Sequence, residues 1–100
     1  MIERQKKIYR VEWTEKALKQ LNKLGLNKDD YERLMEETKK DLETDPKTGL
    51  NVKKMLGDWE GHYRYRWGDY RIIYKLEENK GQVVVKVKVV KIAKRESIYD

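Results

Sequence analysis

Three arginines in the second half of the chain are the residues whose type and spacing point most clearly to chemistry. Arg64 and Arg66 lie two positions apart, and Arg71 follows after a short gap. The residues around them alternate between polar and apolar, and Gly68-Asp69 between the two runs is typical of a β-hairpin turn. Because side chains on a strand alternate between two faces, the three guanidinium groups are predicted to share one face. Grouped guanidinium groups favour phosphate as a ligand.

The opposite face of this predicted hairpin is aromatic and aliphatic. It is formed by Tyr63, Tyr65, Trp67, Tyr70, Ile72, Tyr74 and Leu76. Such a face is suited to cover a hydrophobic core, so the arginine face is predicted to point away from the core and to remain open. The alternative interpretation of Arg64 and Arg66 is a solvated strand edge. The alternative for Arg71 is a structural ion pair with Glu77 or Asp69.

Two helices and two further strands are predicted around the hairpin. The additional strands are predicted at 8–13 and at the valine-rich segment 82–92. Thr14 and Asn27 are placed to cap two amphipathic helices, which end at Gly25 and before Pro46. The predicted fold class is α+β in the order β-α-α-β-β-β. A helical hairpin packs on one face of a mainly antiparallel four-stranded sheet.

Length and composition predict one domain and exclude several protein classes. The chain has 100 residues, and 1–100 is interpreted as a single domain. It contains no cysteine, which excludes disulfides and thiolate metal sites. The single histidine, His62, favours no metal site. No apolar run reaches the length of a membrane span, and the first residues lack the apolar segment of a signal peptide, so a cytoplasmic protein is predicted.

The positive charge is concentrated in the half of the chain that carries the arginines. The formal net charge is +6; residues 1–52 hold 12 basic and 11 acidic side chains, and residues 53–100 hold 12 basic and 7 acidic ones. This asymmetry favours a polyanionic partner, above all nucleic acid. The alternative is a lysine- and glutamate-rich surface without a partner. The absence of phenylalanine is also compatible with a thermophilic or redesigned sequence.

Several segments spread over nearly the whole chain resemble one known family. They are 9–14, 17–21, 45–46, 53–57, 63–74 and 92–99. Together they resemble the RelE/ParE superfamily of toxins from bacterial and archaeal toxin–antitoxin systems. The spacing of Arg95 and Tyr99 is closer to the RelE branch, in which the closing element often reads Ile-Gly-His-Arg-x-x-Val-Tyr. Ala93-Lys94 stands here where Gly-His is common, so a cation is kept and the imidazole is absent.

The resemblance implies a metal- and cofactor-independent endoribonuclease. RelE-type toxins enter the ribosomal A site and cut the mRNA codon there, through attack of the 2′-OH on the adjacent phosphate to give a 2′,3′-cyclic phosphate. By this resemblance Arg71 and Arg95 clamp the scissile phosphate. Arg64 and Arg66 bind the flanking backbone, and Tyr99 stacks on a base or helps to activate the 2′-OH. Five lysines are predicted as further RNA contacts: Lys53, Lys54, Lys86, Lys88 and Lys94.

The resemblance also implies partners and leaves alternatives open. The implied partners are a cognate antitoxin, acidic and partly disordered, together with the ribosome and its mRNA, and no membrane. One alternative is a ParE-like inhibitor of DNA gyrase that performs no chemistry. Another is an inactive or redesigned member that keeps only the fold. RNA cleavage that requires translating ribosomes separates the first function from both alternatives.

Overall fold

Two helices pack on one face of a five-stranded sheet in the computed structural model, which describes residues 7–98. The strands are β1 (Ile8–Trp13), β2 (Val52–Lys54), β3 (His62–Trp67), β4 (Tyr70–Glu77) and β5 (Val84–Lys94). The helices are α1 (Glu15–Lys23) and α2 (Lys28–Thr44), and two 3-10 helices span Gly57–Trp59 and Arg95–Ser97. The spatial order is β1-β5-β4-β3-β2; β1 is parallel to β5 and the other pairs are antiparallel. The predicted α+β class and helical hairpin are confirmed.

The strand count differs from the prediction, because β2 lies in a segment whose sequence predicts only a connection. Only three residues pair, with Lys53 opposite Arg64 at the centre. Two of the three are lysines, so no alternating apolar pattern marks the strand in the sequence. The strand forms because β3 offers hydrogen-bonding groups along its outer edge, where Met55 N–H donates to His62 O at 2.9 Å.

Each helix begins at the cap that the sequence predicts. Thr14 Oγ1 accepts a hydrogen bond from Ala17 N–H at 3.1 Å, and Asn27 Oδ1 accepts one from Asp30 N–H at 2.8 Å. Gly25 follows α1 with a φ of 67°, a conformation in which glycine avoids the steric cost of a side chain. The caps fix where both helices begin. In the folded chain α1 lies against β5 and α2 lies against β1.

The register of β3 and β4 produces the two faces that the sequence predicts. Arg66 pairs with Arg71, Arg64 pairs with Ile73, and Tyr65 pairs with Ile72 on the opposite face. The helix-side face belongs to a core whose fully buried members are Ala17, Leu21, Leu34, Leu42, Tyr65, Ile72, Tyr74, Val87, Val89 and Ile92. The hairpin therefore separates a core-facing aromatic surface from an arginine-bearing surface.

A β-bulge in β5 changes which residues of that strand face the helices. Ile73 pairs with Lys91, but the next residue, Tyr74, pairs with Val89, so Val90 is an extra residue on β5. After the bulge Ile92 lies in the core, and its N–H donates to Gln20 Oε1 of α1 at 3.0 Å. Regular alternation from Val89 would have turned Ile92 to the other face.

The arginine-bearing face is covered over its middle by a second, smaller hydrophobic cluster. Its buried members are Met55, Ile73 and Ile98, with Trp59, Val90 and Ala93 packed against them. Ile98 is fully buried, because the segment after β5 folds back over the sheet. The expectation that this whole face is open is therefore wrong for its centre, since the bulge and the final segment bring apolar side chains onto it.

Candidate functional site

A cleft on the arginine-bearing face gathers four of the nine cations that the sequence singled out. It has a volume of about 190 Å³ and is lined by Leu50, Asn51, Lys53, Arg64, Arg66 and Arg71. The cross-strand pairs Lys53–Arg64 and Arg66–Arg71 place these four cations on three adjacent strands. We call this site the arginine cleft. Four cations beside the Asn51 amide form a concave surface that fits a phosphate group and its neighbouring backbone.

Arg71 forms the fixed part of the arginine cleft. Its exposed fraction is only 7%, and Nη1 donates hydrogen bonds to Gly68 O and Tyr70 O, both at 2.9 Å. These contacts hold the guanidinium group against the β3–β4 turn. Arg64 is half-buried and Arg66 is exposed. The exposure of the three arginine side chains therefore increases from Arg71, which is buried, through Arg64 to Arg66, which faces solvent.

The segment after β5 reaches the same end of the sheet. Arg95 N–H donates to Asp69 O in the β3–β4 turn at 2.8 Å, so Arg95 begins its 3-10 helix beside the hairpin that carries Arg66 and Arg71. Its side chain is exposed and does not line the cleft. Tyr99, which the sequence places with these arginines, lies outside the described residues.

The two lysines of β2 are separated by strand alternation. Lys53 pairs with Arg64 and lies on the arginine-bearing face, where it lines the cleft. Lys54 pairs with Tyr63, whose side chain packs on the core face. Of the two, only Lys53 joins the arginine cleft.

Lys86 and Lys88 lie on the arginine-bearing face but at its other end. Each has a carboxylate neighbour: Lys86 Nζ is 3.9 Å from Glu12 Oε2, and Lys88 Nζ is 3.6 Å from Glu77 Oε1. The second hydrophobic cluster occupies the surface between these pairs and the arginine cleft. This end of the face is consequently a mixed-charge surface.

Lys94 lies on the helix side of the sheet. It pairs with Tyr70, and with Gln20 and Lys23 of α1 it lines a shallow cleft of about 420 Å³. The bulge in β5 determines this placement, because each residue after the bulge is shifted by one position in the alternation. The structure therefore does not bring Lys94 into the arginine cleft.

The single histidine lies beside an aromatic side chain. His62 meets Trp59 edge-on with ring centroids 5.4 Å apart, and Lys91 Nζ lies 5.6 Å from the centroid of the Trp59 ring. This group borders the second hydrophobic cluster. Asp58 and Glu60, the acids on either side of Trp59, are both exposed. The arrangement fixes Trp59 as a packing residue on the arginine-bearing face.

Two lining residues of the cleft, Leu50 and Asn51, are not singled out by the sequence. Neither carries a charge or belongs to a recognisable motif. The signal that identifies them is tertiary: Arg66 N–H donates to Asn51 O at 2.9 Å, which brings the start of β2 to the arginine-bearing strand.

Among residues 7–98, no helix is long and apolar enough to cross a bilayer.

The chain is similar to known toxins in both sequence and fold. The profile of the family described as "ParE toxin of type II toxin-antitoxin system, parDE" matches residues 11–96. The archaeal RelE–RelB complex from Pyrococcus horikoshii contains a chain with 33% identity and a TM-score of 0.62, over 90% of this chain and 98% of that one. No curated protein matches.

Two further solved structures show the same fold. The RelBE2 toxin–antitoxin complex from Mycobacterium tuberculosis has 24% identity and a TM-score of 0.67, over 88% of this chain and 99% of that one. A mutant of the E. coli toxin RelE in the free state, with two arginines replaced by alanine, has 25% identity and a TM-score of 0.60, over 90% and 86%. These matches confirm the resemblance found in the sequence. The chain belongs to the RelE/ParE superfamily and is a toxin of a toxin–antitoxin system.

Proposed function

We propose that this toxin is a ribosome-dependent mRNA endonuclease of the RelE type. The observation that carries the proposal is the arginine cleft, in which Lys53, Arg64, Arg66 and Arg71 line one small concavity. Phosphoryl chemistry on RNA needs the phosphate held in line and its developing negative charge neutralised. The four cations that line the cleft support the proposal, because their positive charge can bind a phosphate and neutralise the negative charge that develops on it.

The proposed reaction uses the substrate's own nucleophile. The 2′-oxygen of the A-site nucleotide attacks the adjacent phosphorus, the bond from phosphorus to the 5′-oxygen breaks, and the products are a 2′,3′-cyclic phosphate and a 5′-hydroxyl. A base takes the 2′-OH proton, and the leaving oxygen gains one. Tyr99 is the proposed base. Arg95 is proposed to neutralise charge on the leaving oxygen.

The three cleft arginines are proposed to bind the phosphate and to neutralise its charge in different ways. Arg64 and Arg66 are proposed to contact the phosphate oxygens, because they are the more accessible of the three. Arg71 is proposed to add its charge from a fixed position, because turn carbonyls already hold its guanidinium group. Lys53 would extend the contact along the RNA backbone. Lys54, Lys86, Lys88 and Lys94 lie outside the cleft, so any RNA contact they make is proposed to involve more distant nucleotides or ribosomal RNA.

The test is cleavage in a reconstituted translation reaction with mapping of mRNA 3′ ends. We expect cuts inside A-site codons from the wild type, and a loss of at least about 100-fold in cleavage rate from Arg64→Ala/Arg66→Ala. The matched control is Lys19→Ala/Arg33→Ala, which removes the same charge from exposed positions on the two helices. Equal cleavage by wild type and cleft variant, or no cleavage by folded wild type, would overturn the proposal.

A gyrase inhibitor is the second candidate, favoured by the match to the ParE family profile. The discriminating measurement is supercoiling by purified DNA gyrase with increasing toxin. Inhibition of supercoiling, together with intact mRNA in the translation reaction, would assign the second function. Absence of both effects in a folded protein would identify a member that keeps only the fold.

We further propose a cognate antitoxin as partner. The structures from P. horikoshii and M. tuberculosis are toxin–antitoxin complexes, and this chain carries a net charge of +6. Opposite charge accelerates association and favours an acidic polypeptide. We expect purified antitoxin to abolish mRNA cleavage at equimolar concentration, with an association rate that falls as salt is raised.

A further inference from the structure

The arginine cleft is lined by residues of two chemical kinds. Four of the lining residues are cations, and the other two are Leu50 and Asn51, which directly precede β2. We call these two residues the neutral rim. A phosphate ligand accounts for the cations, because charge-assisted hydrogen bonds hold its oxygens. It gives no role to an apolar side chain and an amide beside them.

The apolar residue of the neutral rim is in contact with almost nothing in the fold. Leu50 is 99% exposed, the highest value among the large apolar side chains of residues 7–98. It lies between the arginine cleft and a neighbouring cleft of about 330 Å³ at the end of α2. Because this side chain is left in water by the fold, a ligand that covers it gains the free energy of apolar burial.

The turn that carries Leu50 is held by hydrogen bonds before and after it. Asp45 Oδ1 accepts from Thr48 N–H at 2.9 Å, and Thr48 Oγ1 donates to Asp45 Oδ2 at 2.6 Å. Gly49 O accepts from Val52 N–H at 3.1 Å, and a Cβ at Gly49 would lie only 2.9 Å from Asp45 O. The exposed leucine is therefore presented by an ordered turn, which lowers the entropy cost of binding to it.

Asn51 adds a hydrogen-bonding group next to the leucine. Its main-chain oxygen accepts from Arg66 N–H at 2.9 Å, which holds the residue against β3. Its side chain is exposed and lines the arginine cleft. A side-chain amide carries both donors and an acceptor, as the edge of a nucleobase does, and the flat face of a base packs on apolar side chains.

The chemistry of the neutral rim decides which kind of ligand group fits it. A second phosphate would need cations at this position, and neither rim residue carries a charge. A protein partner would need a wider apolar patch, and the other residues that line the arginine cleft are cations. A nucleobase has an apolar face and a polar edge, and in RNA the ribose attaches one close to every phosphate.

We infer that Leu50 and Asn51 form a nucleobase subsite of the arginine cleft. Leu50 covers the face of a base next to the bound phosphate, and the Asn51 amide bonds to the edge of that base. The inference deepens the proposed nuclease function and rests on it. A purine is preferred, because its two rings cover more of the leucine side chain than the single ring of a pyrimidine. The two residues determine specificity and take no part in the chemical steps.

Binding of a short RNA analogue tests the subsite without any cleavage. The probe is the dinucleotide ApA with a 2′-O-methyl group, which removes the nucleophile, and the comparison ligand is its abasic counterpart of equal charge. Affinities are measured by NMR titration of the full chain at low salt, from the amide signals of Lys53 and Arg66. We expect the wild type to bind ApA at least about fivefold more tightly than the abasic ligand. The uracil dinucleotide should lie between the two.

A variant of the neutral rim separates base binding from phosphate binding. Leu50→Ser/Asn51→Ala should bind ApA and the abasic ligand with nearly equal affinity and leave the affinity for the abasic ligand unchanged. Both side chains are exposed, and the bond from Arg66 N–H to the main-chain oxygen is retained, so the fold is kept. The matched control is Leu56→Ser, because Leu56 is 81% exposed and does not line the arginine cleft. It should keep the preference for ApA.

The results that would overturn the inference are distinct from those that would overturn the nuclease proposal. Equal affinity of the wild type for both ligands would exclude a base subsite and keep the cleft as a phosphate site. An unchanged preference for ApA in the rim variant would assign Leu50 to a protein contact instead. An equal loss of preference in Leu56→Ser would show that the base is bound outside the cleft. Binding of neither ligand would remove the phosphate site as well.

Discussion

Arg71 shows how one side chain serves both the fold and the candidate site. The sequence placed it with Arg64 and Arg66 on a common face, and the register confirms that placement. Its burial and its two bonds to turn carbonyls make it a structural residue as well as a cation of the cleft. An arginine variant that loses activity is therefore informative only when its stability is measured alongside.

Replacement of Arg71 by alanine should destabilise the fold, whereas replacement of Arg66 should not. Arg71→Ala leaves the carbonyl groups of the β3–β4 turn without their donor, so we expect a loss of about 1–3 kcal/mol in the free energy of unfolding. Arg66→Ala at its exposed position should change the unfolding free energy by no more than about 0.5 kcal/mol. Urea denaturation of both variants measures the difference. Equal stabilities would show that the turn contacts of Arg71 carry no net energy.

The bulge in β5 is the element that arranges the end of the sheet. The extra residue at Val90 sends Ile92 into the core and directs Lys94 to the helix side. It also creates a main-chain donor that the β4–β5 ladder does not satisfy, and Gln20 of α1 accepts from it. The helix therefore supports the irregular strand that leads to Arg95.

A substitution of Gln20 should act on this element. Gln20→Leu keeps the helix and a similar side-chain volume but removes the acceptor for Ile92 N–H, so we expect a loss of about 1–3 kcal/mol in unfolding free energy. Amide exchange at Ile92 should also become faster. Lys19→Leu, at the neighbouring exposed position, is the control. Unchanged exchange at Ile92 in the Gln20 variant would show that another acceptor replaces the amide.

At the scale of the whole molecule, buried tyrosine hydroxyl groups tie the sheet to α2 and to the loop after it. Tyr74 OH donates to Pro46 O at 2.7 Å, and Tyr65 OH donates to Asp41 Oδ2 at 2.6 Å. Burial, above all, raises the pKa of both phenols far above the ordinary tyrosine value, and Asp41 adds to the effect at Tyr65. The hydrogen bonds between the sheet and the helical layer therefore depend on phenol groups that stay protonated in the folded protein.

Stability should consequently fall at alkaline pH. The folded state holds the two phenolic protons more tightly than the unfolded state, so their contribution is complete below about pH 10 and decreases as pH rises above it. Urea denaturation between about pH 8 and about pH 11 measures the decrease. Tyr65→Phe/Tyr74→Phe should flatten this profile. A profile of the same slope in the double variant would assign the alkaline loss to other groups.

Salt bridges connect three segments at the end of the sheet remote from the arginine cleft. Glu78 lies 3.4 Å from Lys7 Nζ and 3.3 Å from Lys47 Nζ, and Lys47 holds the pKa of Glu78 below its usual value. These pairs join the start of β1, the loop after α2 and the end of β4. Because they are exposed, they contribute little to stability in salt. These ion pairs do not involve the four cations of the arginine cleft, which lie at the other end of the sheet.

The sequence by itself determined the parts of this protein that depend on local patterns. Alternation fixed which residues of 62–77 face the core and which carry the arginines, and the Thr14 and Asn27 side chains fixed the helix starts. The family also followed from short segments such as 63–74, because their residues are adjacent in the chain. Each of these features is encoded within a few residues.

Only the tertiary structure decided how distant segments meet. The strand β2 exists because β3 offers it a partner, and Ile98 covers Ile73 because the chain after β5 folds back. The placement of Lys94 depends on one extra residue in β5, and a single bulge reverses every face assignment after it. Such features depend on pairing and packing between segments far apart in sequence, which alternation and capping patterns do not encode.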